Sequence, residues 1–457
     1  MRRFQCLGDR LGYVVASLLP LVLAAELACF ARLQSQTIDE ADHIHAGYRY
    51  WQCGDYGVNP EHPPFAKLVD TLPLVFDRLQ NPGPRCVSYE TGTFPDFAHG
   101  HDFLYSNDAG RILAEPRLAA ASFTLLLATF VFVVTRRMFG NGPALLALLL
   151  LVFEPTVLAH GAEVTRDVPV TCWLFIAVYA FYRYTETPTV LRLILSGLAA
   201  GLALVTKHSA AVLLLVLVLL AVADIWIRQH GSESRDFSGV PVKWKRLLVR
   251  NAVGLAAIVS IATMVLWGFY LFRYSARPAG REMSDSLTTY IHDAVQYGGV
   301  HGVLLSQVVP RLVHSCPNPI CTAWQTSPLL RQAVLCFFWA GFTPPATGFI
   351  SPSRSSSKVP LAFLLMLVVT RFATTYLWRQ KKRETLFLAI PAVVFFSMSL
   401  NSRELRPDPS EHRVARKGIM AREGAEGGAV NSGAEPEGWK RARRGFGSCA
   451  TQAAQAG

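Results

Sequence analysis

The sequence predicts an all-α fold: a multi-pass transmembrane helical bundle with amphipathic juxtamembrane helices in its first external loop. Three observations carry that prediction. First, only 17% of the 457 residues are charged and 51% are hydrophobic, whereas a soluble domain carries about a quarter charged residues. Second, the apolar residues fall in blocks near 12–32, 112–134, 142–160, 168–183, 190–206, 209–227, 250–272, 359–378 and 385–400. Their lengths approach the roughly 20 residues that a bilayer-crossing helix needs, which gives about nine spans. Third, the basic residues collect in alternate gaps between the blocks. A helix satisfies its own backbone in lipid, so the architecture that follows is helical. A large soluble helical bundle is the alternative, and the low charge and the mean hydropathy of +0.29 argue against it.

The elements follow in order. The first block comes after MRRFQ, in the layout of a secretory signal, but no small-x-small cleavage site follows it. It is expected to stay as a signal anchor. The stretch 34–111 is a first external loop, long enough to carry structure or function of its own. Within it, 37–51 is expected to form a helix along the membrane surface. NPEHPP breaks that helix, and FAKLVDTLPLVF resumes an apolar face. Arg136 and Arg137 follow the second block, and Arg183 and Arg192 flank the loop after the fourth. Arg228, Lys243, Lys245, Arg246 and Arg250 crowd the loop after the sixth, and Arg379, Lys381, Lys382 and Arg383 lie between the last two. The positive-inside rule places these clusters and the amino terminus in the cytoplasm. The net charge of +12 then reports topology, with no nucleic-acid partner expected. Residues 1–400 are read as one transmembrane domain. Residues 401–457 are read as a polar tail, rich in Arg, Glu, Gly and Ala without an apolar period, and expected to be disordered.

The chemistry concentrates between Thr37 and Leu68. Thr37 and Glu40 have the spacing of a capping box, so Asp39 and Glu40 can serve simply to start a helix. On that helix Asp39, Asp42 and His43 share a face, with His43 and His45 expected as solvated surface residues. His62 precedes two prolines and is therefore held extended. Asp167, Lys207 and Arg273 lie on other spans but at the same side of the membrane as Asp39, and convergence on one side is what a site requires. Each has a plainer reading: Asp167 as a helix-start acid, Lys207 as a snorkelling side chain, Arg117 as a contact to any lipid headgroup. Asp39, Asp42, His43 and Glu61 are hard or borderline metal ligands. Their spacing matches no metal signature, so no metal or other cofactor is assigned and a divalent cation stays open. Of the nine cysteines, Cys53 and Cys86 share the first external loop, where a disulfide and two free thiols are equal expectations.

Four motifs in order carry a family resemblance. Asp39-Glu40 followed by His62-Pro-Pro-Phe-Ala-Lys67, then EPRLAAAS at 115–122, LAHGAEVTRDVPVTCWLF at 158–175 and GLALVTKHSA at 201–210, resemble the protein O-mannosyltransferases. They are also similar to the lipid A aminoarabinose transferases, and both families belong to the GT-C class of membrane glycosyltransferases. The resemblance spans most of 10–275 and resumes over 358–400. It implies transfer of a sugar from a polyprenyl-phosphate carrier to an acceptor hydroxyl of a protein, lipid or glycan, on the outer face and with inversion. It implies Asp39 as general base with Glu40 beside it, and Lys207 and Arg117 against the leaving phosphate. Lys67 and His62 are second choices there, and Glu61 and Asp167 complete the expected substrate site. The expected setting is the bacterial inner membrane, with the site facing the periplasm.

Two features depart from the family. The segment 313–357 reads poorly, but Ser315–Thr326 and Ile350–Lys358 shifted by one base regain a family-like pattern, which suggests a local frameshift. A polar tail also follows Leu400, where relatives continue into further spans and an outer domain. The alternatives are therefore an inactive truncated member, or a transporter or lipid flippase marked by intramembrane charges.

Overall fold

A computed structural model describes residues 2–59, 62–80, 86, 93–230, 244–273 and 381–401, and these are helical with no strand among them. The helices are α1 (Arg2–Leu33), α2 (Glu40–Cys53), α3 (Pro64–Asp70), α4 (Thr93–Tyr105), α5 (Ala109–Phe139) and α6 (Asn141–Val152). They continue with α7 (Pro155–His160), α8 (Asp167–Glu186), α9 (Val190–Leu204), α10 (Val212–His230), α11 (Trp244–Phe269) and α12 (Lys382–Asn401). Short 3-10 turns at Leu72–Leu74 and His208–Ala211 close α3 and open α10.

Among the described residues, four helices are long and apolar enough to cross a membrane: Gly12–Leu33, Ala109–Phe139, His208–Gln229 and Trp244–Phe269. The multi-pass helical bundle is therefore present, with fewer full-length apolar helices than the nine blocks suggested. The block at 142–160 is not one helix. Pro155 has no amide hydrogen to continue α6, and the Glu154 carboxylate accepts the Val157 N–H at 2.8 Å to start α7. The 12 residues of α6 and the 15 of α9 rise only about 18 and 22 Å, against a hydrocarbon core of about 30 Å. The 20-residue helices α8 and α12 keep charged residues in their end turns. The block at 359–378, the segment 313–357 and the stretch 402–457 lie outside the described residues.

The bundle centre forms where α8 packs on α9 and α9 on α11. Gly197 and Gly201, one turn apart on α9, permit this: a Cβ on either would lie 2.6 Å from the Cβ of Ile261 or Val265 on α11. Small residues at such spacing let membrane helices approach closely.

The first loop corrects one expectation. Helix α2 is not an exposed helix; every residue from Glu40 to Tyr50 is buried. Ile44 and Tyr48 pack with Leu74, Phe103, Ile112 and Val164. Ala46 and Tyr50 pack on another side with Val58, Val205, Leu266 and Tyr270. His43 and His45, expected in solvent, are 4% and 0% exposed. The reason is tertiary: α3 and α4 fold over α2 so closely that a Cβ on Gly47 would sit 2.5 Å from the Lys67 carbonyl oxygen. One on Gly100 would sit 2.6 Å from the Asp42 amide nitrogen. Gly54 ends α2 in the left-handed region at φ 56°, its N–H donating to the Tyr50 carbonyl at 2.9 Å.

Cys53, the last residue of α2, forms a disulfide with Cys86, with Cα atoms 5.5 Å apart. The bond closes a loop of 33 residues, a constraint on the unfolded chain of about 2–4 kcal/mol. The paired substitution Cys53→Ser/Cys86→Ser is therefore expected to lower the thermal midpoint and speed protease cleavage within the first loop. Unchanged values in both measurements would mean that the cross-link contributes nothing.

Candidate functional site

The site assembles where α1 ends and α2, α5 and α8 begin. Arg117, in the third turn of α5, grips Glu40 in two parallel bonds, Nε to Oε1 at 2.8 Å and Nη2 to Oε2 at 2.6 Å. Both side chains are fully buried. Arg117 also donates to the carbonyls of Gln34 at 2.7 Å and Ser35 at 2.8 Å. It thereby satisfies backbone oxygens left over past the end of α1. Glu40 accepts the Thr37 N–H at 2.9 Å and the Val164 N–H at 3.1 Å. Burial raises the Glu40 carboxyl, but these bonds and the Arg117 charge outweigh it and hold the group below its ordinary range. The return half of the expected capping box thus forms, within a wider knot joining α1, α2, α5 and the 161–166 segment.

Asp39, one residue earlier, has the opposite environment. It is the cap residue of α2, is exposed, and makes no capping hydrogen bond with its side chain. Partial burial, then the charges of Asp167 and Glu40, raise its carboxyl pKa from the ordinary aspartate value, with Lys207 opposing. Asp167 opens α8, and Lys207 stands at the turn between α9 and α10; their Oδ1 and Nζ are 2.6 Å apart. Asp39, Asp167 and Lys207 therefore form an open, charged cluster built from three parts of the chain.

Behind it lies a buried layer. His43, one turn along α2 from Asp39, donates Nδ1–H to the Val164 carbonyl at 2.9 Å. A carbonyl only accepts, so the neutral ring keeps its lone pair on Nε2. The His62 ring meets it edge-on, 5.4 Å between centroids. Burial, then the Arg166 and Lys67 charges, push His43 far below the imidazole range. Burial, then His43 and Lys67, do the same to His62. Both rings are neutral at pH 7. Lys67 is fully buried and donates to the Tyr50 hydroxyl at 2.9 Å, the Asn59 carbonyl at 2.6 Å and the His62 carbonyl at 3.1 Å. It also bonds the Asn59 side chain, which in turn donates to Asp42. These bonds hold Asn59 and the His62 carbonyl against Lys67 and Tyr50.

The sequence reading missed Arg166 and Asp70. Arg166 caps α8, is 1% exposed in its side chain, and bonds Asp70 Oδ2 through Nη1 at 2.8 Å. Its Nε and Nη2 have no hydrogen-bond partner among the described residues. Burial raises Asp70 to about 7, with Arg166 opposing. One signal was available: a cation at a helix amino end opposes the helix dipole, so the Arg166-Asp167 pair was anomalous for a plain helix start. Its partner lies 96 residues away, which no local pattern reveals.

Of the expected site residues, the structure brings together Asp39, Asp167 and Lys207, with His62 and Lys67 behind them. Glu40 and Arg117 are committed to each other. Arg273 is elsewhere: it donates to the Gly54 carbonyl at 2.6 Å, at the far end of α2. Glu61 lies outside the described residues. Among the described residues, no group of three His, Cys, Asp or Glu side chains is placed to hold a metal ion.

No curated protein matches the chain. The arrangement of these motifs meets an independent finding in the stretch that carries Arg117, Arg166, Asp167 and Lys207. Residues 112–233 match the family model described as dolichyl-phosphate-mannose-protein mannosyltransferase, and the match supports a membrane glycosyltransferase of the GT-C kind that the sequence resembles.

Proposed function

We propose that the chain transfers a sugar from a polyprenyl-phosphate carrier to an acceptor hydroxyl at the outer or lumenal membrane face, with inversion. The observation that carries this reading is Asp39, exposed beside the Asp167–Lys207 pair with its carboxyl raised. Asp39 takes the hydroxyl proton as the acceptor oxygen attacks the anomeric carbon. The bond from that carbon to the carrier phosphate breaks, its electrons staying on the phosphate, and the carrier leaves as a monoester. Lys207 and Arg166 are the cations assigned to the growing phosphate charge, since Arg117 already spends its donors on Glu40 and three carbonyls. Glu40 and Arg117 act as positioning residues that fix where α2 starts and hence where Asp39 points. His62 and Lys67 hold the wall behind.

The test is donor turnover in membrane vesicles supplied with labelled polyprenyl-phosphate sugars. Loss of donor with one of them is the expected result, and no turnover across a panel of hexoses and pentoses rejects the reading.

The electrostatics give a signed pH prediction. A base works when ionised, so activity rises as pH passes through the Asp39 pKa, which is raised from the ordinary aspartate value. Asp167→Asn removes a charge that raises that pKa, so the acid limb of the rate profile shifts to lower pH. Lys207→Met removes one that lowers it, so the limb shifts to higher pH. A limb that stays in place in both variants would mean that a group other than Asp39 is titrating.

A further inference from the structure

A second charged region lies at the other end of the bundle. From Asp167 to Glu186, α8 has 20 residues and spans about 28 Å, so its Glu186 end is remote from the cluster around Asp39. There Asp224, fully buried, meets three guanidinium groups: Arg228 at 3.0 Å, Arg250 at 3.4 Å and Arg383 at 3.2 Å. One carboxylate offsets one of these charges, and the surplus stays positive. Beside it a shallow, open depression of about 610 Å³ lies along α8 and α11, lined by Tyr184, Lys245, Arg246, Val249, Arg250 and Val253. Tyr184 is its one lining residue from α8 and packs on α11, its hydroxyl 2.6 Å from where a Cβ on Gly254 would lie.

The lining has an order. Lys245, Val249 and Val253 follow one another at one-turn intervals along α11, as do Arg246 and Arg250, so they share a face. Cations occupy the amino end of the slot, and exposed valines, 61% and 63%, continue it along a helix apolar enough to cross a bilayer. Lys245 lies over the Trp244 ring at 5.7 Å, and Trp244 itself is 52% exposed. Tryptophan at such a position marks a membrane–water interface. Arg246 makes no hydrogen bond or ion pair among the described residues.

We propose that this slot binds an anionic phospholipid, its headgroup phosphate between Lys245 and Arg246 and an acyl chain along Val249 and Val253. A soluble phosphate would meet the cations but have no use for the apolar wall, and a zwitterionic lipid would bring its own cation to a region already in surplus. The proposal is independent of the transfer reaction and of Asp39.

The test is native mass spectrometry of the full chain in detergent, with phosphatidylglycerol and phosphatidylcholine of identical acyl chains. The expected result is retention of phosphatidylglycerol in preference to phosphatidylcholine. Each cation near a lipid surface contributes roughly fivefold to attraction, so Lys245→Gln/Arg246→Gln should reduce the preference by about thirtyfold. Both side chains are exposed, so the helical circular dichroism should not change. Should the double variant misfold, Arg246→Gln alone is expected to show about a fivefold loss. Equal retention of the two lipids by wild type, or an undiminished preference in the folded variants, overturns the proposal. Complete displacement of phosphatidylglycerol by millimolar inorganic phosphate also overturns it, since the site would then be one for free anions.

Discussion

Asp39→Asn is expected to lower donor turnover by about 10²–10⁴-fold, the usual contribution of a general base, with the thermal midpoint unchanged. Both halves of that expectation follow from the position of the residue. Asparagine fills the same volume but cannot take a proton from the acceptor hydroxyl. The carboxylate makes no capping hydrogen bond to the start of α2 and is exposed, so the fold loses little when its charge goes. The charge lost is also one that Asp167 and Glu40 disfavour, and its removal relieves their repulsion. Equal turnover in variant and wild type, at matched expression, would take Asp39 out of the chemistry. Turnover lost together with the thermal transition would make it a structural residue instead.

What the sequence revealed, and what it hid, follows from the range of the interactions. Charged residues stand out against apolar blocks, so Asp167 and Lys207 could be placed at helix ends on one side, and there they pair at 2.6 Å. Helices α1, α5, α10 and α11 were legible for the same reason. The break at Pro155 was legible too, since proline cannot continue a helix and EPTVLAHGAEVTRDVP at 154–169 reads as a loop, although the apolar block over 142–160 runs across its start. Helix α2 misled because its composition is polar. EADHIHAGYRYWQC reads as a surface helix, yet His43 bonds the Val164 carbonyl and Asp42 accepts from the Asn59 side chain, partners from elsewhere in the fold. Arg166 with Asp70, and Glu40 with Arg117, are separated by 96 and 77 residues. Pairing over such distances has no periodic signal, so the sequence could nominate Arg117 for the phosphate but not show that Glu40 already holds it.

That last pairing makes the largest stability prediction. Arg117→Leu leaves Glu40 as a lone buried carboxylate and strands the carbonyls of Gln34 and Ser35, and Glu40→Met leaves a buried guanidinium with only carbonyl partners. Each single change is expected to destabilise the chain by about 3–5 kcal/mol, the cost of breaking a buried ion pair. The double variant Glu40→Met/Arg117→Leu should cost clearly less than the sum, because no charge is then left buried alone, and the difference is the coupling between the two groups. Arg117→Lys separates the two roles this arginine can play. A lysine keeps the positive charge that a phosphate contact needs, but cannot reproduce the two parallel bonds to Glu40 together with those to the carbonyls. If Arg117 positions the start of α2, Arg117→Lys lowers the thermal midpoint and reduces kcat with little change in KM for the donor. If its role is to place a positive charge at the phosphate, stability holds and KM for the donor changes little. The double bond to Glu40 with both side chains fully buried favours the first outcome, because a donor phosphate could reach Arg117 only by displacing a partner that already satisfies it.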